Sequence, residues 1–250
     1  MTDRLTGAEL STLIDATWPP ARMLPCGPFV LRDGQGGGSR VSAATLREPG
    51  RDVAADDIEA AETAMRGLGQ VPLFMLRDGE DALDAALAGR GYAVKDPVIA
   101  WACPVSMLTG TPVPRVTVFA LWEPLAIMRE LWAAGGIGPD RLAVMDRVQG
   151  PRTGLMGRNR DKPAGAAFVA IHGRTAMLHA LEIPPFQRRH GMGRWFLRAA
   201  GFWAAENGAD LLTVVCTRDN AAANALYAAL GMAQVGAYHY RIAPPEGKGP

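Results

Sequence analysis

The run Leu181-Glu182-Ile183-Pro184-Pro185-Phe186-Gln187-Arg188-Arg189-His190-Gly191-Met192-Gly193-Arg194 is the densest concentration of chemistry in the chain. Its pattern predicts a strand that ends, a short loop, and a long helix starting near Gly191. Arg188, Arg189 and Arg194 crowd that helix start, with glycines at 191 and 193. A helix N-terminus presents unpaired backbone N–H groups and a partial positive charge. Glycines let a ligand approach the backbone, and arginines add charge-assisted hydrogen bonds. The combination suits a pyrophosphate. It is not a P-loop, because no GxxxxGK[ST] occurs. It is not a dinucleotide fingerprint, because Phe196 stands where GxGxxG needs its third glycine. From the loop alone, a basic helix start on the surface would look the same.

A second constellation follows one predicted helix and one predicted strand later, in Asn220-Ala221-Ala222-Ala223-Asn224-Ala225-Leu226-Tyr227-Ala228-Ala229-Leu230-Gly231-Met232. Arg188-x-x-Gly191-x-Gly193, led by Ile183-x-Pro185, resembles the acetyl-CoA loop of the GNAT (GCN5-related) N-acetyltransferases. Asn220-x-x-Ala223-x-x-Leu226-Tyr227-x-x-Leu230-Gly231 is similar to that family's second motif. The resemblance spans about residues 115 to 242.

The resemblance implies that the backbone of Leu181 to Ile183 pairs with a pantetheine arm where two strands splay apart. It implies that the loop Arg188, Arg189, His190, Gly191, Met192, Gly193 and Arg194 holds the pyrophosphate. Asn220 would touch the cofactor arm. Tyr227 would stand near the sulfur as the acid, and a phenol donor is apt where a thiolate develops.

An attacking amine must shed a proton, so a base is useful, directly or through water. In Met177-Leu178-His179-Ala180-Leu181-Glu182-Ile183, the side-chain period of two puts His179 and Glu182 on opposite faces of the strand. His179 resembles, by its offset from the loop, a base histidine of arylalkylamine N-acetyltransferases, and an imidazole suits proton relay. Glu182 is the second candidate, and water a third. His172 falls in a turn. His239, between Tyr238 and Tyr240, belongs to a strand that either lines an acceptor pocket or forms an edge. Cys216 reads as a small buried hydrophobe rather than a nucleophile. Arg158, Arg160 and Lys162 form a basic turn, either solvated or facing a coenzyme A phosphate.

The elements that must position these groups alternate. Helices are predicted over Thr6 to Thr17, Asp56 to Leu68, Gly79 to Ala88, Pro124 to Ala133, Gly193 to Asn207 and Ala221 to Leu230. A short helix is predicted to start at Gly136-Ile137-Gly138-Pro139-Asp140. Strands are predicted over Pro28 to Arg32, Arg40 to Thr45, Pro72 to Leu76, Ala93 to Cys103, Arg115 to Ala120, Thr153 to Arg158, Ala164 to Ile171, Thr175 to Ile183, Leu211 to Thr217 and Gln234 to Ile242. The run Asp33-Gly34-Gln35-Gly36-Gly37-Gly38 reads as a hairpin turn between the first two strands rather than a phosphate loop, since a strand rather than a helix is expected after it. Such mixing means an α/β or α+β fold with a mixed sheet.

Two prolines, a glycine and two threonines over Thr109 to Pro114 mark a boundary, giving an expected division into 1–108 and 114–250. Ala86 to Val94 can be laid on Leu226 to Gln234, with Leu87 falling on Tyr227 and Gly91 on Gly231. The first half therefore looks like a degenerate copy without the phosphate loop and the acid, as in bacterial two-domain GNAT proteins. The implied fold is two tandem GNAT-like domains, the second complete with a splayed central sheet.

The 250 residues are 48% hydrophobic and 20% charged, a globular composition. Charges of 26 basic and 25 acidic residues leave +1, with no global pull toward nucleic acid or anionic membrane. The three cysteines are scattered and suggest neither a disulfide framework nor a zinc site. Met1 to Thr6 carries no basic region followed by an apolar one, so no signal peptide and a reduced cytoplasm are expected. No apolar run approaches a membrane span.

The expected activity is acetyl transfer from acetyl-CoA to a small-molecule amine by direct attack, without metal. A non-catalytic acyl-CoA sensor and a protein or peptide N-acetyltransferase stay open as alternatives. So do the acceptor, the acyl length and a homodimer.

Overall fold

The computed structural model describes residues 6–245. Helix α1 (Gly7–Thr17) begins where Thr6 caps it: the Thr6 hydroxyl accepts from Glu9 N at 3.1 Å, and Glu9 Oε2 accepts from Thr6 N at 2.8 Å. It stops before Pro19-Pro20. Strands β1 (Arg22–Cys26) and β2 (Phe29–Asp33) form a hairpin, followed by a single helical turn α2 (Ser39–Ser42) and the short β3 (Thr45–Leu46). The expected return strand over Arg40 to Thr45 is thus largely replaced by a helical turn: only the two-residue β3 pairs with β2 from downstream, and its longer partner β1 lies upstream. Pro25 and the exposed side chains of β1 hide that strand from any alternation pattern. The glycine run makes a close approach instead of a hairpin: a Cβ on Gly37 would stand 2.6 Å from Val144 Cγ2.

Helix α3 (Ala55–Gly67), strand β4 (Leu73–Arg77), helix α4 (Asp81–Gly89) and strand β5 (Ala93–Pro104) complete the first half, and α5 (Val105–Thr109) leads into the linker. The second half runs β6 (Val118–Leu121), α6 (Ala126–Ala134), α7 (Pro139–Asp146), β7 (Arg152–Asn159), β8 (Lys162–His172), β9 (Thr175–Glu182), α8 (Met192–Glu206), β10 (Leu211–Thr217), α9 (Ala221–Ala229) and β11 (Ala233–Ile242). The mixed α/β architecture follows the alternation of the sequence.

One eight-stranded sheet joins both halves in the order β4-β11-β5-β10-β9-β8-β7-β6. Strand β5 of the first half pairs antiparallel with β10 of the second, and β11 of the second pairs antiparallel with β4 of the first. The two exchanged strands pair with each other. The exchange is reciprocal, and the faint repeat falls just before each exchanged strand. The turn after α4 has Gly91 at φ +81 with Tyr92 N bonded to Leu87 O at 3.1 Å. The turn after α9 has Gly231 at φ +76 with Met232 N bonded to Tyr227 O at 3.1 Å. Both need a left-handed residue that glycine supplies without strain.

The halves differ where the second loop would bind an anion. Helix α3 starts with Asp56 and Asp57, and Asp57 Oδ2 accepts from Ala54 N at 3.1 Å. These carboxylates already complement that helix end and repel phosphate. In the second half, α8 packs Phe196, Leu197, Ala200 and Ala204 against β7 to β10 in one core, while Trp18, Met128, Trp132 and Phe168 fill the core on the other face. Truncating a fully buried aromatic such as Phe196 to Ala costs about 3–5 kcal/mol.

Candidate active site

Strands β9 and β10 are parallel and pair only from Leu211↔Thr175 to Val214↔Leu178. Beyond that point Val215–Thr217 and His179–Glu182 diverge. A bulge widens the gap. Ala166 of β8 faces Glu182 and Phe168 faces His179, so two steps along β8 match three along β9. Ala180 takes φ +50 in the bulge, and its carbonyl accepts from Trp132 Nε1 at 2.8 Å. The extra residue resets the alternation. His179 and Glu182 share one face of the sheet, contrary to the period-two expectation of opposite faces.

The divergence opens a cleft of about 800 Å³ lined by Leu181, Glu182, Ile183, Arg188, Arg189, Gly191, Met192, Gly193, Arg194, Asn220 and Tyr227. Residues far apart in sequence are thereby brought together as the two motifs imply. Helix α8 opens with Gly191 at φ +79 and no side-chain cap. Among the described residues, the N–H groups of Arg189 through Gly193 have no recorded acceptor, whereas Arg194 N already bonds Gly191 O at 3.1 Å. Gly193 permits close helix packing, since a Cβ there would stand 2.8 Å from Leu226 Cδ2. Arg188 braces the loop: its Nε donates to Ile183 O at 2.8 Å and its Nη2 to Glu182 Oε1 at 3.3 Å. Arg189 and Arg194 are exposed.

Tyr227 is buried against Trp101, with ring centroids 6.2 Å apart, and its hydroxyl makes no hydrogen bond among the described residues. Burial, helped by the nearby Cys216 thiol, holds its phenol well above the ordinary value, so it stays protonated. Asn220 serves first as the cap of α9, accepting from Ala223 N at 3.1 Å. Asn224, which carried no expected role, does more. Its Nδ2 donates to Thr217 O and Asn220 O, and its Oδ1 accepts from Trp101 Nε1 at 3.0 Å and Cys216 Sγ at 3.2 Å. It ties the end of β10 to the tyrosine's helix. The available signal is an asparagine inside an otherwise alanine-rich helix, where it is a poor helix former.

Two expected residues stand elsewhere. His179 is 3% exposed and does not line the cleft. Its ring stacks on Trp18 at 5.1 Å; Arg40 Nη1 donates to its Nδ1 at 2.8 Å, and its Nε2 lies 3.0 Å from Thr17 Oγ1. An arginine only donates, so Nδ1 is unprotonated and Nε2–H is the donor to Thr17. Burial and then the Arg40 charge hold its pKa well below the ordinary value. Both nitrogens are engaged, and the ring acts as a neutral strut. His190 is exposed and faces a separate hollow of about 280 Å³ that also includes Arg158 and Arg160.

A third hollow of about 260 Å³ opens on the free end of β10, with Val215, Cys216 and Thr217 on one side and Tyr238 and Tyr240 of β11 on another. His239 points the other way, its Nε2 2.8 Å from Asp84 Oδ1. The last strand therefore lines a pocket through its tyrosines. Among the described residues no cluster of metal-binding side chains occurs and no helix is long and apolar enough to cross a membrane.

Residues 126–232 match the Acetyltransferase (GNAT) family. The chain is similar to an uncharacterized N-acetyltransferase, YobR, of Bacillus subtilis, at 23% identity over 94% of this chain and 97% of that protein. Its fold matches a GCN5-related N-acetyltransferase from Kribbella flavida (TM-score 0.69, 19% identity, 95% of each chain). It also matches a tandem GNAT protein from the clavulanic acid biosynthesis pathway (TM-score 0.60, 16% identity, 98% of this chain and 91% of that one). The second half thus matches the GNAT family over residues 126–232, and the fold of the whole chain is similar to GNAT structures, a tandem one among them.

Proposed function

We propose that the protein is an acetyl-CoA-dependent N-acetyltransferase acting on a small-molecule amine. The observation that carries this reading is the cleft at the splay, lined by the start of α8, where the N–H groups of Arg189 to Gly193 are unpaired, and by Tyr227. Those N–H groups and the flanking guanidiniums suit a pyrophosphate. The end of β9 at Leu181, beyond its pairing with β10, suits an amide-bearing arm lying along it.

The amine nitrogen, once deprotonated, attacks the thioester carbonyl carbon. The C–N bond forms, the C–S bond breaks, and the electron pair leaves on sulfur. Tyr227 donates its O–H toward that sulfur as negative charge grows. A phenol held above its ordinary pKa is a weaker acid than a thiol. Its main effect is therefore a hydrogen bond to the developing thiolate. Of the carboxylate and imidazole considered as base, Glu182 lines the cleft and His179 does not. Glu182 takes the ammonium proton, through water, to solvent. Positioning both reactants at the splay supplies much of the acceleration.

The small size of the pocket on the acceptor side, about 260 Å³ and walled by Arg40 and Arg141 from α2 and α7, supports a compact acceptor over a peptide. The test is amine-dependent release of free coenzyme A from acetyl-CoA. Turnover supports the reading, whereas acetyl-CoA binding without turnover of any amine would favour a sensor.

A further inference from the structure

The pocket on the free end of β10 is lined by Ser39, Arg40, Asp96, Arg141, Cys216 and Tyr240, among others. The Cys216 thiol lies in its wall and hydrogen-bonds Asn224 of α9 at 3.2 Å, the helix that carries Tyr227 into the cleft wall. The pocket draws one arginine from each half. Gly37 lets the glycine run press on Val144 of α7, and this sets Arg40 beside Arg141.

These two arginines differ from those that the fold pairs with acids. Arg32 is paired with Asp15, Arg77 with Glu80 and Arg241 with Asp84. Among the described residues, neither Arg40 nor Arg141 has a carboxylate within ion-pairing distance. Arg40 spends one donor on the neutral His179 and lies 5.0 Å over the Trp18 ring. The Arg141 side chain has no hydrogen bond among the described residues. The His179 ring, the Tyr238 and Tyr240 phenols and the Trp18 indole around them are all uncharged, so nothing in that wall cancels the two positive charges. Asp96, also in the lining, is engaged by Lys95. Two forked donors converging on a small space, without an acid to satisfy them, match a planar carboxylate. The single charge of a carboxylate also fits better beside Asp96 than a phosphate dianion.

We propose that the acceptor is an amine that also bears a carboxylate, gripped through that carboxylate by Arg40 and Arg141 so that its nitrogen reaches the splay. This inference rests on the acetyltransferase reading above. The test uses the whole chain with acetyl-CoA and a panel of amino acids and aminoalkanoic acids of increasing length. Each is matched with its carboxamide, its phosphonate and the amine without the acid. Release of coenzyme A should favour the carboxylates over their matched amides by about tenfold or more. Arg141→Gln should raise KM for the preferred carboxylate by about ten- to hundredfold, with kcat nearly unchanged and KM for its carboxamide unmoved. A purely structural role for Arg141 would shift both substrates alike. Equal or better use of the amides or plain amines overturns the inference and leaves the acetyltransferase standing. Preference for phosphonates, or bound acetyl-CoA with no carboxylate turned over, likewise overturns it. Failure of acetyl-CoA to bind at all brings down the underlying reading as well.

Discussion

Tyr227 and His179 show how two side chains of similar chemical promise diverge in context. Tyr227 keeps an unpartnered hydroxyl in the cleft, while both nitrogens of His179 are spent on Arg40 and Thr17. Replacing Tyr227 with Phe should lower kcat by about ten- to hundredfold, the worth of one hydrogen bond to a charged group, with acetyl-CoA affinity unchanged by calorimetry. His179 makes a different prediction, about stability. Its folded pKa lies well below 6.5, so the unfolded chain binds the extra proton first as pH falls. The contribution of the neutral ring is complete above about pH 6.5 and shrinks below it. Thermal melts should show Tm falling between pH 7 and 5, and His179→Gln should flatten that fall. The sequence made Tyr227 legible because its motif carries it on one helix. The role of His179 was not legible, because Thr17, Trp18 and Arg40 approach it from far along the chain.

At the scale of elements, the bulge in β9 is the feature that makes the site. Its extra residue turns Glu182 to the same face as His179 and parts β9 from β10. Alternation arguments assume an even ladder, so no reading of Met177 to Ile183 alone reveals the bulge. Gly165, opposite it, carries the cost of the geometry. Its φ is +152, and a Cβ there would lie 2.6 Å from Glu182 O. Gly165→Ala should destabilise the fold by about 1–3 kcal/mol in urea titrations and weaken acetyl-CoA binding with it. The helices of eight or more residues, by contrast, were legible, most of them nearly end to end, since caps and glycines punctuate them, whereas the five-residue α5 was not. The missed β1 was hidden by Pro25, and the missed α2 by a glycine run that resembles a hairpin turn.

At the scale of the molecule, the halves are bound by exchange of β5 and β11. The repeat of Leu87-x-x-x-Gly91 with Tyr227-x-x-x-Gly231 was visible in the sequence, but the exchange was not, because pairing between distant strands leaves no local signature. The exchanged β11 is also clamped by charge. Arg241 grips Asp84 through Nε at 2.7 Å and Nη2 at 2.9 Å, holding that carboxyl down to about 2. Asp84→Asn should cost about 1–3 kcal/mol, read as a lower Tm above pH 4 and a smaller difference below it. A fragment of residues 110–250 should not fold alone, because it lacks the strand between β10 and β11. Co-expression with residues 1–109 should restore a folded, soluble pair. A fragment with native circular dichroism by itself would show that the exchange is dispensable.

The central claim is that the splay between β9 and β10 holds acetyl-CoA with its pyrophosphate on the start of α8. Calorimetric titration of acetyl-CoA into the wild type and into Gly191→Glu tests it most directly, with circular dichroism confirming that the variant is folded. The account predicts one site per chain in the wild type and loss of binding in the variant, where a carboxylate would meet the phosphates. No binding to the wild type, or equal binding to a folded variant, would contradict it.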